Sequence, residues 1–411
     1  MLLQEIIGGD CVISPRLIVV VGILASIGCL YTFWNDDDQH TILKSKSLSS
    51  LDSTMTPRTL DSMESSETSD QQPKEGTTTS STNMTDDELL TAGVAEFRQD
   101  RILPGARLLR QVRDPAKLET DKEAQECLHR ASLMETLREE VSAPSGWTKQ
   151  GESHGNRDFL VYYKTDDGGK LTCRIESVIE ASLYVPFLCV MNETDLYETW
   201  FPSWSFPFKM GIAKSTKLSQ PGRCEQVVQL TVNLPFPMSD REIVFWGFAD
   251  DDCQGHQKVG ARLRTIDESY GDGQLVPPPD RGVVRMEFSC DFLFRPCPDD
   301  HPALTHSKAR YPAGERKILL STQMYCDPKV GFVPQPFLNF VTRHCIGTVW
   351  NMILSVSEQV KEGKRPQHSE VIAAKREEIY DWMEGRAQLL TAAEGQSQIA
   401  SISSGGIVIQ E

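Results

Sequence analysis

Three things are scarce in this chain, and each scarcity excludes a class of protein. Its eleven cysteines include no Cys-x-x-Cys unit and are dispersed along 411 residues. Such a set in a large acidic chain reads as reduced thiols on the cytosolic side rather than a disulfide framework. Positive charge is short as well: the formal net charge is -16. Phosphate-backbone binding needs a basic footprint, so nucleic acid is not an expected partner, and charge alone does not hold the domain on an anionic membrane. Catalytic motifs are also wanting, with no HExxH, Walker loop or GxGxxG, so no enzyme activity and no cofactor are expected. The grouping Cys290, Cys297, His301 and His306 matches no usual zinc spacing. Asp250, Asp251 and Asp252 read as a solvated turn rather than a calcium loop.

One long uncharged run is present. Residues 17–34, LIVVVGILASIGCLYTFW, span about 27 Å as a helix, enough to cross a bilayer. Arg16 precedes the run, and Asp36, Asp37 and Asp38 follow it. A cleaved signal peptide is the alternative, but Glu5 and Asp10 sit where a basic segment belongs. Residues 1–34 are therefore read as a membrane anchor. Residues 35–85 are roughly two-fifths Ser and Thr, too poor in apolar surface to offset ordering entropy, and form a disordered linker. Residues 396–411 read as a flexible tail.

Between these ends the hydrophobic period changes twice. Residues 86–145 have apolar spacings of three and four, broken at Pro104-Gly105 and Asp114-Pro115, and predict a helical segment. From Trp147 the period is two: Phe159, Val161 and Tyr163 share one face, and Asp167-Gly168 turns the chain into a second strand. Residues 182–200 are a short helical connection. The clearest strand covers 283–294, with Val284, Met286, Phe288, Cys290, Phe292 and Phe294 on one face and Arg285, Glu287, Ser289 and Asp291 on the other. A long helix at 336–362 carries an apolar stripe of Phe337, Phe340, Val341, Cys345, Val349, Met352, Ile353 and Val356. A further helix follows within 364–395.

The stretch NLPFPMSDRE interrupts two strands with Pro235 and Pro237, which lack backbone donors and push their predecessors to extended geometry. This segment resembles the PxPxS(N/D)RD-type signature of the steroidogenic-acute-regulatory-related lipid-transfer (START) domain, with Glu242 where Asp is more usual. The resemblance covers residues 146–363 and is helped by Trp200 and the amphipathic final helix. It implies an α+β helix-grip fold, a curved antiparallel sheet wrapped on a long C-terminal helix, with a lipid ligand in an apolar tunnel. The loop Pro235, Phe236, Pro237 and Met238 would then be a stiff gate at the rim, though an ordinary wide turn is the plainer alternative.

Tunnel candidates are Phe159, Tyr163, Met286, Phe288, Phe292, Phe294, Phe337 and Val341, with His344, Cys345, Thr348 and Tyr163 offering polar contacts. His344 can equally be a satisfied core histidine. On this register Arg174, Arg285 and Glu287 face outward, and no inward arginine is expected, which favours a sterol or other weakly polar lipid over phospholipid. The function read from sequence is a membrane-tethered lipid-binding or lipid-transfer protein. The alternative is a membrane-anchored scaffold with the same fold and no ligand, using Ile372, Ile379, Trp382, Met383 and Leu390 as a partner face. The oligomeric state is left open.

Overall fold

The computed structural model describes residues 84–143, 145–153, 158–201, 211–234, 238–304, 316–330 and 335–392, without the side chains of residues 337, 338, 340, 341, 344 and 345. Its contacts divide the chain into units Met1–Asn83 and Met84–Glu411. The anchor and nearly all of the linker, residues 1–83, and the tail lie outside the described residues. Among the described residues no helix is long and apolar enough to cross a membrane.

The second unit begins with helices α1 (Asp86–Phe97), α2 (Ile102–Leu109), α3 (Pro115–Thr120) and α4 (Lys122–Ser142). Thr85 starts α1 through a capping box: its hydroxyl accepts from the Glu88 N–H, and the Glu88 carboxylate accepts from the Thr85 N–H at 2.7 Å. Helices α1 and α2 cross through glycines, because a Cβ on Gly93 would stand 2.6 Å from Leu109 Cγ and one on Gly105 would stand 2.6 Å from the Gly93 carbonyl oxygen. Asp121 caps α4 by accepting from the Ala124 N–H at 2.9 Å.

Ten strands follow: β1 (Thr148–Ser153), β2 (Phe159–Thr165), β3 (Leu171–Ile179), β4 (Gly211–Gly222), β5 (Glu225–Asn233), β6 (Arg241–Asp252), β7 (Lys258–Thr265), β8 (Val284–Arg285), β9 (Glu287–Pro296) and β10 (Ile318–Asp327). They form one sheet in the order β1-β2-β3-β10-β9-β7-β6-β5-β4, with β8 attached to β6. Every pair along the path is antiparallel. The strand expected at 283–294 is thus two pieces, because Val284 and Arg285 pair parallel with Arg241 and Glu242 before the chain joins β7 and β10.

Helix α5 (Ala181–Asn192) connects β3 toward β4 and packs on α7 (Gln335–Lys361), the long helix laid across one face of the sheet. A single turn, α6 (Cys253–His256), joins β6 and β7. After Gly363, at φ +71, the chain continues as α8 (Pro366–Ala374), a π turn at Arg376–Tyr380 and α9 (Asp381–Thr391). This is the helix-grip α+β architecture.

The sheet separates two cores. On its outer face α1, α2 and α4 pack Leu109, Ala131, Met134 and Leu137 against Phe248 and Leu293. On its inner face α5, α7 and α9 pack against Phe159, Ile175, Phe292, Phe294 and Leu320. The triplet Asp250, Asp251 and Asp252 is not a solvated turn. It ends β6, with all three side chains at most 2% exposed. Asp250 accepts from the Leu103 N–H at 3.0 Å and pairs with Arg138. Asp252 pairs with Arg107 at 2.6 Å and Arg138 at 2.9 Å, while Asp251 pairs with Arg386 on α9. Carboxyl groups buried at this depth are tolerated because each has a hydrogen-bond or ion-pair partner.

Candidate functional site

Alternation along five strands, β2, β3, β7, β9 and β10, builds the inner face. Phe294 lies opposite Leu320 and Val259, Phe292 opposite Thr322 and Ala261, and Phe288 opposite Cys326. On the other flank Phe159, Val161 and Tyr163 oppose Ser177, Ile175 and Cys173. The expected residues Phe159, Tyr163, Phe288, Phe292 and Phe294 are therefore brought to one apolar surface. Met286 sits at its margin, in a smaller cluster with Leu230, Ile243, Phe245 and Phe288.

This surface changes along its length. Phe294, Phe292, Ile318 and Leu320 are sealed, and Trp350 of α7 closes over them at 2% exposure, its ring 5.8 Å from Phe187. Toward the other end Tyr163, Phe288 and Met324 are only half-buried. The early turns of α7 cross here. Asn339 donates to the Gly169 carbonyl of the β2–β3 turn at 3.1 Å, and a Cβ on Gly347 would meet Val161 at 3.8 Å and Phe159 at 3.9 Å.

Arg343 lies between these two contacts. Its guanidinium stands 4.7 Å from the centre of the Tyr163 ring. Burial pushes the Cys173 thiol up to about 11, opposed by the positive charge of Arg343. The expectation that the interior lacks an arginine therefore fails. Strand alternation placed the sheet's arginines outward correctly: Arg174 pairs with Glu176 and Arg285 with Glu242. The inward arginine comes from the helix, whose buried side is wider than the expected stripe. Met352, Ile353 and Val356 of that stripe are buried and Val349 packs on the same core. Ile346, Trp350, Leu354 and Val360 are buried too, and Thr348 is exposed rather than inward. Phe337, Val341, His344 and Cys345 lie on α7 with side chains outside the described set.

The proline loop is anchored at both ends. Pro235, Phe236 and Pro237 lie outside the described residues, while Met238 is half-buried. Asp240 accepts from the Leu234 N–H at 3.2 Å and from the Val284 N–H, at its carbonyl, at 3.0 Å. Arg241 opens β6 and donates to the carbonyls of Ser239 and Pro328, both at 2.6 Å. Glu242, the departure from the resemblance, is buried and accepts from Gln229 and from Arg285 at 2.8 Å. A carboxylate longer by one methylene reaches both donors across the strands.

Other chemistry does not assemble. Cys290 faces Thr322 Oγ1 at 3.5 Å inside, whereas His301 Nε2 meets Glu176 at 3.3 Å and Cys297 packs beside Leu160 and Leu319. His306 lies outside the described residues. Among the described residues no three potential metal ligands come together. A Gly-x-Ser-x-Gly pentapeptide, Gly151, Glu152, Ser153, His154 and Gly155, begins on β1 and leads toward β2. A nucleophile elbow needs the serine at a strand-to-helix turn, whereas Ser153 lies in β1, a strand of the sheet, and His154 and Gly155 lie outside the described residues. Two surface clefts lie apart from the inner face. One, of about 420 Å³, opens between the helical layer and the β4–β5 hairpin beside Arg130, and one of about 240 Å³ lies around Arg264 and Asp291.

No family model matches the sequence, and no curated protein matches it. Solved structures similar to this chain include human STARD10, at 11% identity over 64% of this chain and 90% of that one, with a TM-score of 0.41. A STAR-related lipid transfer protein from Xanthomonas axonopodis is similar at 18% identity over 52% of this chain and 100% of that one, with a TM-score of 0.38. Human StAR-related lipid transfer protein 5 is similar at 15% identity over 56% of this chain and 97% of that one, with a TM-score of 0.38.

Proposed function

We propose that this chain is a non-enzymatic lipid-binding and lipid-transfer protein that holds an apolar ligand between the inner sheet face and α7. The observation that carries this reading is the uneven inner face. Half-buried Tyr163, Phe288 and Met324 adjoin a sealed core on the same sheet, and Arg343 of the long helix stands over Tyr163. Apolar surface left incompletely covered inside a two-layer grip suits a ligand that completes the core. Entry is assigned to the early turns of α7 and the loop Pro235–Asp240, whose ends are pinned at Leu234 and Arg241. Residues 17–34 would tether the domain at one membrane with its folded part in the cytosol. The linker, with a reach on the order of 40 Å, would raise local concentration there. A preference for sterol needs an interior without arginine, and Arg343 over Tyr163 removes that basis.

The sealed end, where Trp350, Phe187 and Phe294 fill the space with side chains, favours a second reading: a scaffold that carries no lipid. Mass spectrometry of lipids co-purifying with the compact unit Met84–Glu411, expressed in eukaryotic cells, separates the two. One lipid class near stoichiometric amount supports the lipid carrier. A lipid content no higher than that of an unrelated control protein points to the scaffold.

A further inference from the structure

We propose that Arg343 is the headgroup contact at the half-buried end of the inner face and selects lipids whose polar end carries an anionic oxygen group, a phosphate above all. The inference rests on the lipid-binding reading and specifies its ligand class.

Most arginines buried elsewhere in the described unit are matched to oxygen. Arg262 pairs with Asp291 at 3.0 Å, Arg138 with Asp250 and Asp252, and Arg386 with Asp251. Arg130 pairs with Glu225, Arg174 with Glu176, and Arg285 with Glu242. Arg241, which has no carboxylate, is met by backbone carbonyls. Arg343 lacks such a match. Its Nε, like those of Arg138, Arg174 and Arg295, is buried with no hydrogen-bond partner. Arg138 and Arg174 have carboxylates on their other nitrogens, and Arg295 has the charge of Glu176 nearby. No carboxylate among the described residues lies within ion-pair distance of the Arg343 guanidinium. Its recorded neighbours are an aromatic face and a neutral thiol, Tyr163 and Cys173.

An arginine cannot escape this situation by losing its proton, and an unmatched buried donor costs free energy. Its planar fork fits two oxygens of a phosphate or carboxylate. It stands at the half-buried end of the apolar face, two turns along α7 from Trp350, which seals the other end. A ligand with its tails on Phe288 and Met324 would bring its polar end to the same region as Arg343. Tyr163, whose ring already covers the guanidinium, adds a hydroxyl to the same wall.

The test uses Met84–Glu411, which contains all of the described cores. Uptake is measured from phosphatidylcholine vesicles carrying one of two fluorescent probes with identical acyl chains, a phosphatidic acid or a diacylglycerol. Wild type is expected to take up the phosphatidic acid about 10- to 100-fold better, the range of a charge-assisted hydrogen-bond pair. Arg343→Gln should erase that preference with diacylglycerol uptake unchanged, and Arg343→Lys should retain part of it, because the charge stays and the fork is lost. Thermal melting of both variants checks folding, and if Arg343→Gln does not fold, the partial loss in Arg343→Lys decides. Equal preference in wild type and variants overturns the role of Arg343 while leaving the lipid carrier standing. Uptake of neither probe overturns both. Binding of inorganic phosphate as tight as that of the lipid would overturn the lipid source in favour of a free-anion site.

Discussion

Phe294 and Phe288 lie on the same face of the same strand, six residues apart, and their surroundings differ sharply. Phe294 meets Tyr184 and Phe187 edge-on, with ring centroids at 5.1 and 6.1 Å, beneath Trp350. Among the described residues Phe288 has one aromatic neighbour, Phe245 at 6.0 Å, and remains half-buried. Both side chains obey the same alternation, so composition does not distinguish them. What differs is the helix above: α7 covers the first with an indole and reaches the second region near Arg343. One end of the grip completes its own core, and the other keeps Tyr163, Phe288 and Met324 half-buried.

The largest expected effect is at the sealed end. Trp350→Ala should destabilise the unit by about 3–5 kcal/mol in urea denaturation, through lost burial and the cavity left among Phe187 and Leu354. Phe288→Ala should cost only about 1–2 kcal/mol, because the side chain is half in solvent, yet reduce uptake of any lipid probe. Equal costs at the two positions would erase the distinction between the ends.

The outer face provides a pH-dependent contrast of intermediate size. Burial pushes the Asp250 carboxyl up to about 7, against the Leu103 N–H and Arg138. Between its ordinary value of 3.8 and about 7 the folded protein holds a proton that the unfolded chain has released. Stability therefore falls as pH rises through that window, by at most about 1.4 kcal/mol per pH unit. Asp252 behaves oppositely: burial, which would raise it, is outweighed by hydrogen bonds from Arg107 and Arg138. Its contribution is present above 3.8 and is lost as pH falls through its lower folded value. Asp250→Asn should flatten the slope between about pH 4 and 7 in urea midpoints. An unchanged slope would assign that window to another group.

These contrasts were unevenly legible in the sequence. Strand faces were readable because a period of two admits only two phases, so Phe159, Tyr163, Phe288, Phe292 and Phe294 could be assigned together. The helix was harder. Helix α7 is apolar over more than one stripe: the expected Met352, Ile353 and Val356 are buried, and so are Ile346, Trp350 and Leu354, which a single stripe leaves out. Arg343, one turn before Ile346 and Gly347, belongs to that wider face. The burial of Asp250 and Asp252 was unreadable for another reason: Arg107 and Arg138 lie 145 and 114 residues from Asp252. Three consecutive carboxylates look like a turn until those partners arrive by folding.

The smallest expected effects test the helix phase itself, at neighbouring positions. Gly347 faces β2 with room for a methyl group, since an added Cβ would meet Val161 and Phe159 at ordinary contact distance. Gly347→Ala should therefore stabilise by about 0.5–1 kcal/mol, the helix-propensity gain. Thr348 is exposed, so Thr348→Trp should shift stability by less than about 0.5 kcal/mol and leave lipid uptake unchanged. An indole there that blocks uptake would mean that α7 turns its Thr348 side to the ligand. The sealed end and the open end would then need different rotations of one helix.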